Sequence, residues 1–282
     1  MGAAVAGKTA RYIVATVLLL ALVIFLYFAF SGTITINPTL LRIGKLSIRW
    51  YGALIAIAVY LSYFIISKRY SKTFSDNNFD YVFLVVLVSG LIGARIGFVI
   101  QNIGYFSENL SDLLKIYEGG LSIHGGIIGG VLGLLLITKL LKLNFVKVAD
   151  VMSPEVLLSI AIGRFGNFFN QEIIGRPTNG IVKMFVEPLH RPLGFENISY
   201  FHPVFLYESI LLFVLYFYLT KNIKRVQKGG IVYLLLGYSA IRVVVEFFRI
   251  DYKPIFLIFD LAQLVSFGII LITLITLTFR KK

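Results

Sequence analysis

Three arginines stand where an apolar environment makes them costly. Arg95, Arg164 and Arg242 each fall inside a long apolar run. A guanidinium at the middle of a membrane helix costs about 2.5–3.5 kcal/mol on the insertion scale, so something must offset it. One offset is internal pairing: Arg242, Glu246 and Arg249 follow at spacings of four and three, which puts all three on one helical face. The other is an anionic ligand, because the planar guanidinium fork matches two phosphate oxygens at once. Counted from the predicted cytoplasmic ends of their spans, near Tyr81, Val151 and Gly230, the three arginines lie about 12–14 residues along, or ~18–21 Å up a helix. That is a single layer in the outer half of a bilayer. Side chains there reach the outer headgroups, so the layer suits a lipid phosphate.

The chain holds only three histidines. His190 sits in a long polar loop and reads as a surface residue. His202 precedes Pro203, a residue favoured at helix starts, and so suits a cap. His124 differs, because Gly119, Gly120, Gly125 and Gly126 clear both sides of it and its expected depth is that of the arginines. It is the histidine singled out for a functional role. The chain has no cysteine, hence no thiolate metal ligand and no cysteine nucleophile of its own. No metal-binding motif or phosphate loop is present either, so neither metal nor cofactor is expected.

The elements that must carry these residues are membrane helices. Of the 282 residues, 58% are hydrophobic and only 15% charged, against ~25% charged in soluble domains. The apolar residues form eight blocks, beginning near Tyr12, Trp50, Tyr81, Gly119, Val156, Pro203, Gly229 and Ile255. About 20 residues cross the hydrocarbon core, so the expected fold is all-α, a polytopic integral membrane bundle of seven core spans plus one extra N-terminal span. Residues 1–32 read as a membrane anchor or signal-like segment, with an uncleaved anchor favoured, and residues 33–282 as one membrane-embedded domain. Glycines 125, 129 and 133 form a small-xxx-small packing face, as do Gly126 and Gly130.

A net charge of +13 raises a nucleic-acid reading, which position excludes. Lys8 and Arg11, then Lys68, Arg69 and Lys72, then Lys139, Lys142 and Lys147, then Lys221, Lys224, Arg225 and Lys228, and finally Arg280, Lys281 and Lys282 fall on every second loop. This positive-inside pattern sets both termini in the cytoplasm. The intervening loops carry Glu108, Asp112, Glu118, Glu172, Glu187 and Glu196, with Arg42, Lys45 and Arg49 among them.

Six ordered segments carry a resemblance: Trp50-Tyr51-Gly52, Gly93 through Gly97, Gly119 through Gly126, the run from Gly163 through Glu172, His202 through Glu208, and Gly237 through Arg249. Together they resemble the bacterial prolipoprotein diacylglyceryl transferase family from about Ile36 to the end. The first span departs from the family's seven-span core. The resemblance implies transfer of the diacylglyceryl group of phosphatidylglycerol to the lipobox cysteine of a prolipoprotein signal peptide, in a bacterial plasma membrane, at its outer leaflet. It implies catalytic roles for His124, Arg164 and Arg242. It implies substrate contacts for Tyr51, Arg95, Asn167, Asn170, Glu172, His202, Tyr207, Glu208, Glu246 and Arg249, with Glu172, Glu208 and Glu246 orienting arginines. The alternative reading is a transporter or channel for an anionic solute. Polar groups confined to one half of the membrane argue against it, since a pathway must cross.

Overall fold

The computed structural model describes residues 2–44, 46–74, 78–116, 119–222 and 228–280. Of the loop charges used above, Lys45, Glu118, Lys224, Arg225, Lys281 and Lys282 lie outside the described residues. The fold is a polytopic helical membrane protein. Each of the eight apolar blocks supplies a helix: α1 (Gly2–Phe30), α2 (Trp50–Tyr70), α3 (Phe79–Gln101), α5 (Ile123–Leu140), α6 (Phe145–Asn170), α7 (Val204–Lys221), α8 (Gly230–Glu246) and α9 (Leu261–Arg280), with a short α4 (Ile103–Glu108) after α3. Hydrocarbon offers no partner for backbone N–H and C=O groups, and the helix satisfies them internally. Among the described residues, α2, α3, α5, α7 and α9 are long and apolar enough to cross a membrane. Helix α8 has only 17 residues.

Two short antiparallel pairs punctuate the helices, β1 (Thr39–Ile43) with β2 (Leu46–Arg49), and β3 (Met184–Phe185) with β4 (Tyr200–Phe201). The chain divides into two compact units. One comprises residues 1–57, 160–213 and 238–282, the other 58–159 and 214–237.

The second unit has a core of Ile66, Tyr70, Phe79, Val82, Val148 and Val151. Within it α3 and α5 pack at backbone distance. A Cβ on Gly93 would meet the backbone of Gly125 and Gly129, and one on Gly129 the backbone of Ser89 and Gly93. Gly125, Gly129 and Gly133 thus form the tight face, while Gly126 and Gly130 keep ordinary van der Waals spacing. Pro154 lies inside α6. Proline lacks the N–H that would bond the carbonyl four residues back. That carbonyl, of Asp150, accepts instead from Ser153 Oγ at 2.8 Å. Arg69 of α2 and Glu155 of α6 form a buried ion pair, one arm Nη2 to Oε1 at 2.8 Å.

The first unit has an aromatic core. Phe168, Phe201 and Phe205 are all but fully buried with Ala29, Met184 and Val186, and Phe25 and Phe30 of α1 pack against them. Phe168 and Phe205 stack at 5.0 Å.

Candidate active site

The first unit assembles most of the expected site residues. Arg164 projects from α6, Glu208 from α7, and Arg242 and Glu246 from α8. Glu208 has no exposed surface. Its Oε1 accepts from Arg164 Nη2 at 2.6 Å, and its Oε2 lies 3.8 Å from Arg242 Nη1. Arg242 also pairs with Glu246 through Nη2. Glu246 Oε1 lies 3.3 Å from Arg249 Nε, and Arg249 grips Asp251 with both arms of its fork, at 2.8 and 2.6 Å. Those bonds hold the Asp251 carboxyl below the usual carboxylate range.

On the other side of Arg164, its Nη1 donates weakly to Asn167 Oδ1 at 3.4 Å. Asn167 Nδ2 donates to Glu172 Oε1 at 2.8 Å, and Asn170 Nδ2 reaches the same oxygen at 3.3 Å. A continuous polar chain therefore runs from Glu172 to Asp251. It alternates cations and anions, which is how three guanidinium groups coexist in an apolar surrounding. It is nevertheless incomplete. Arg164 Nε and Asn170 Oδ1 are buried without a hydrogen-bond partner among the described residues, as is Glu208 Oε2. A buried donor left unmet costs about 1–3 kcal/mol. Arg164 Nε is therefore a donor that an anionic ligand's oxygen would satisfy.

The backbone that aims these groups is a strip of three chain segments joined by isolated bridges, unsuspected from sequence. Ile250 N donates to Ile174 O at 3.2 Å, Arg176 N to Phe248 O at 2.8 Å, and His202 N to Arg176 O at 3.0 Å. Gly175 sits at its centre, where a Cβ would run into the carbonyl and ring-bearing carbon of His202. The strip fixes both Arg249 and His202. His202 Nδ1 lies 3.0 Å from Tyr207 Oη, and Phe248 packs edge-on against both rings. Burial holds the His202 pKa below the usual imidazole value. Tyr51 lies across α6, its ring occupying the space a Cβ on Gly166 would need, next to Trp50 stacked on Phe169 at 4.6 Å.

Continuation of α6 would have placed Gln171 on the face of Arg164 and Asn167. The helix ends at Asn170 instead, and Gln171 takes a left-handed conformation at φ 49°. Its Oε1 accepts from Glu187 N at 2.9 Å, which secures the following loop.

Arg95 and His124 belong to the second unit. Arg95 is buried, and its guanidinium is engaged by four carbonyls, those of Asp112, Leu113, Gly119 and Gly120. His124 is the second residue of α5, exposed, and without a hydrogen-bond partner among the described residues.

Sequence reasoning missed Tyr238, which lies beside Arg164, Arg242 and Glu208. The signal was there: Tyr238, Arg242 and Glu246 recur every four residues and share one face of α8. It also missed Asp260, whose side chain meets Glu246 from the start of α9.

Fold and site together define a polytopic helical membrane protein with a buried arginine–carboxylate chain in its first unit. The chain belongs to the prolipoprotein diacylglyceryl transferase family, whose model matches residues 38–279. It is 40% identical over 243 residues to the phosphatidylglycerol–prolipoprotein diacylglyceryl transferase of Thermotoga maritima, an alignment covering 84% of this chain and 82% of that one. Similar proteins of the same name are those of Fervidobacterium nodosum, 38% identical over 87% of each chain, and of Staphylococcus aureus, 37% identical over 87% of this chain and 90% of that one.

Proposed function

We propose that this enzyme transfers the diacylglyceryl group of phosphatidylglycerol to the lipobox cysteine thiol of prolipoproteins, at the outer leaflet of a bacterial plasma membrane. The thiol sulfur forms a bond to the terminal glyceryl carbon, and the bond from that carbon to the phosphate oxygen breaks. A thioether results, glycerol phosphate leaves with the electron pair, and the thiol proton passes to a base. The observation that carries this reading is the buried Nε of Arg164, without a hydrogen-bond partner among the described residues and held in place by the Arg164–Glu208–Arg242 chain.

A phosphate diester becomes a monoester dianion as it leaves, so its charge grows along the reaction. Preorganised guanidinium donors aimed at that charge stabilise the transition state more than the ground state. Arg164 and Arg242 take this role, while Glu208 and Glu246 orient them and Arg249. Asn167, with Asn170, orients lipid oxygens, Glu172 orients Arg164 through Asn167, and Tyr51, His202 and Tyr207 contact headgroup or thiol. His124 serves as the base. A cysteine thiol has a pKa of ~8.5 and needs such help to attack near neutrality. Residues 33–282 form the transferase and residues 1–32 its anchor.

The test is a labelled phosphatidylglycerol assay with a lipobox peptide in liposomes. Label on the peptide with stoichiometric glycerol phosphate release is expected. Anion flux without headgroup release would overturn the reading in favour of a channel.

A further inference from the structure

His124 has no side-chain partner among the described residues. Its place is therefore set by the backbone that carries it, the first turn of α5. That turn is held almost wholly by α3. Ser122 is its N-cap, with Oγ accepting from Gly125 N at 3.4 Å. The same Oγ accepts from Gln101 Nε2 at 2.9 Å, and Ser122 N donates to Ala94 O at 2.9 Å. One turn earlier, Arg95 Nη1 donates to the carbonyls of Gly119 and Gly120 at 3.0 and 2.9 Å. Gly120 has φ of 77°, and a Cβ there would strike the Phe98 ring and Arg95 Nη1. Gly97 admits Ser122 and Gly125 only because it has no side chain of its own.

We infer that Arg95, Gln101 and Ser122 are positioning residues, which together build the seat of His124. Arg95 acts through the carbonyls of Gly119 and Gly120. A seat is required because a proton acceptor displaced by about 1 Å loses up to ~100-fold in rate. An arginine suits the task because its planar fork binds several carbonyls in fixed geometry, which the point charge of lysine does not. The proposal rests on His124 being the base of the transfer reaction.

The experiment uses the full-length protein in detergent, labelled in its histidine rings, with Arg95→Lys, Gln101→Leu and Ser122→Ala. With only three histidines in the chain, replacing each in turn assigns the ring signals. The His124 signals should shift in all three variants while those of His190 and His202 stay. In the transfer assay kcat should fall about tenfold, with KM for phosphatidylglycerol little changed. Gln101 is exposed, so Gln101→Leu retains the fold even if Arg95→Lys does not. Unmoved His124 signals beside an active wild type would overturn the seat alone. A raised KM with kcat unchanged would overturn it too, by placing Arg95 on the lipid. A wild type that transfers nothing would instead remove the reading beneath it.

Discussion

Glu208 holds Arg164 by a 2.6 Å hydrogen bond in a position with no exposed surface, and turns its second oxygen toward Arg242. A carboxylate so placed is held there by its cations. Removing one partner of a buried pair costs about 3–5 kcal/mol, because the other charge is left uncompensated. Glu208→Gln is therefore expected to lower the melting temperature in detergent markedly and to abolish transfer. A stable, active Glu208→Gln enzyme would show that the arginines need no counter-charge.

Arg164→Lys keeps the charge and loses the fork. Losing one charge-assisted hydrogen bond costs about 1.5–3 kcal/mol, or roughly 10- to 150-fold when that bond is made in the transition state. The loss should appear in kcat more than in KM for phosphatidylglycerol, since the phosphate charge grows only as the bond breaks. Steady-state kinetics on the purified variant decide this. An equal loss in binding would mean that Arg164 recognises the ground state.

His124 is exposed and has no side-chain partner among the described residues, so the fold should not miss it. His124→Ala should melt as the wild type does while transfer falls by about 100-fold or more, the scale of general-base catalysis. Near-normal turnover would pass the role to another group.

Removal of residues 1–32 should leave the chemistry and weaken the fold. The family match begins at residue 38, yet Ala29 is 1% exposed and Phe30 packs on Phe168 and Phe205 at 5.9 and 6.1 Å. The truncated protein should melt lower and insert less efficiently, with turnover per inserted molecule close to normal. Correctly inserted but inactive protein would give α1 a catalytic part.

His202 predicts a pH dependence of stability. Its folded pKa is lowered by burial, so as pH falls through the ordinary imidazole value of ~6.5 the unfolded chain takes up the proton first. Stability is thus constant in this group above that pH and declines below it, until the folded pKa is passed. Melting curves between pH 7.5 and pH 5 should show the decline, and His202→Gln should flatten it. These pH values lie about 1 unit above and about 1.5 units below the ordinary imidazole value of ~6.5. An unchanged slope would assign the effect elsewhere.

Composition and run length determined that this is a membrane helical bundle, because a chain 58% hydrophobic in blocks of span length has no other way to satisfy its backbone in lipid. The cost of charge in hydrocarbon singled out Arg95, Arg164 and Arg242 alike, and the four-residue period on α8 already paired Arg242 with Glu246. Burial cost alone could not separate those arginines, since identical costs are offset by different partners; only the resemblance set Arg164 and Arg242 apart from Arg95. Only the tertiary structure set Arg164 and Arg242 about one carboxylate, Glu208, whose partners lie 44 and 34 positions away in the chain on other helices, and set Arg95 among the carbonyls of a loop. It also ended α6 at Asn170, where Gln171 turns left-handed, and threaded Gly175 against His202. Such contacts depend on which backbones meet, and no local spacing in the chain encodes them.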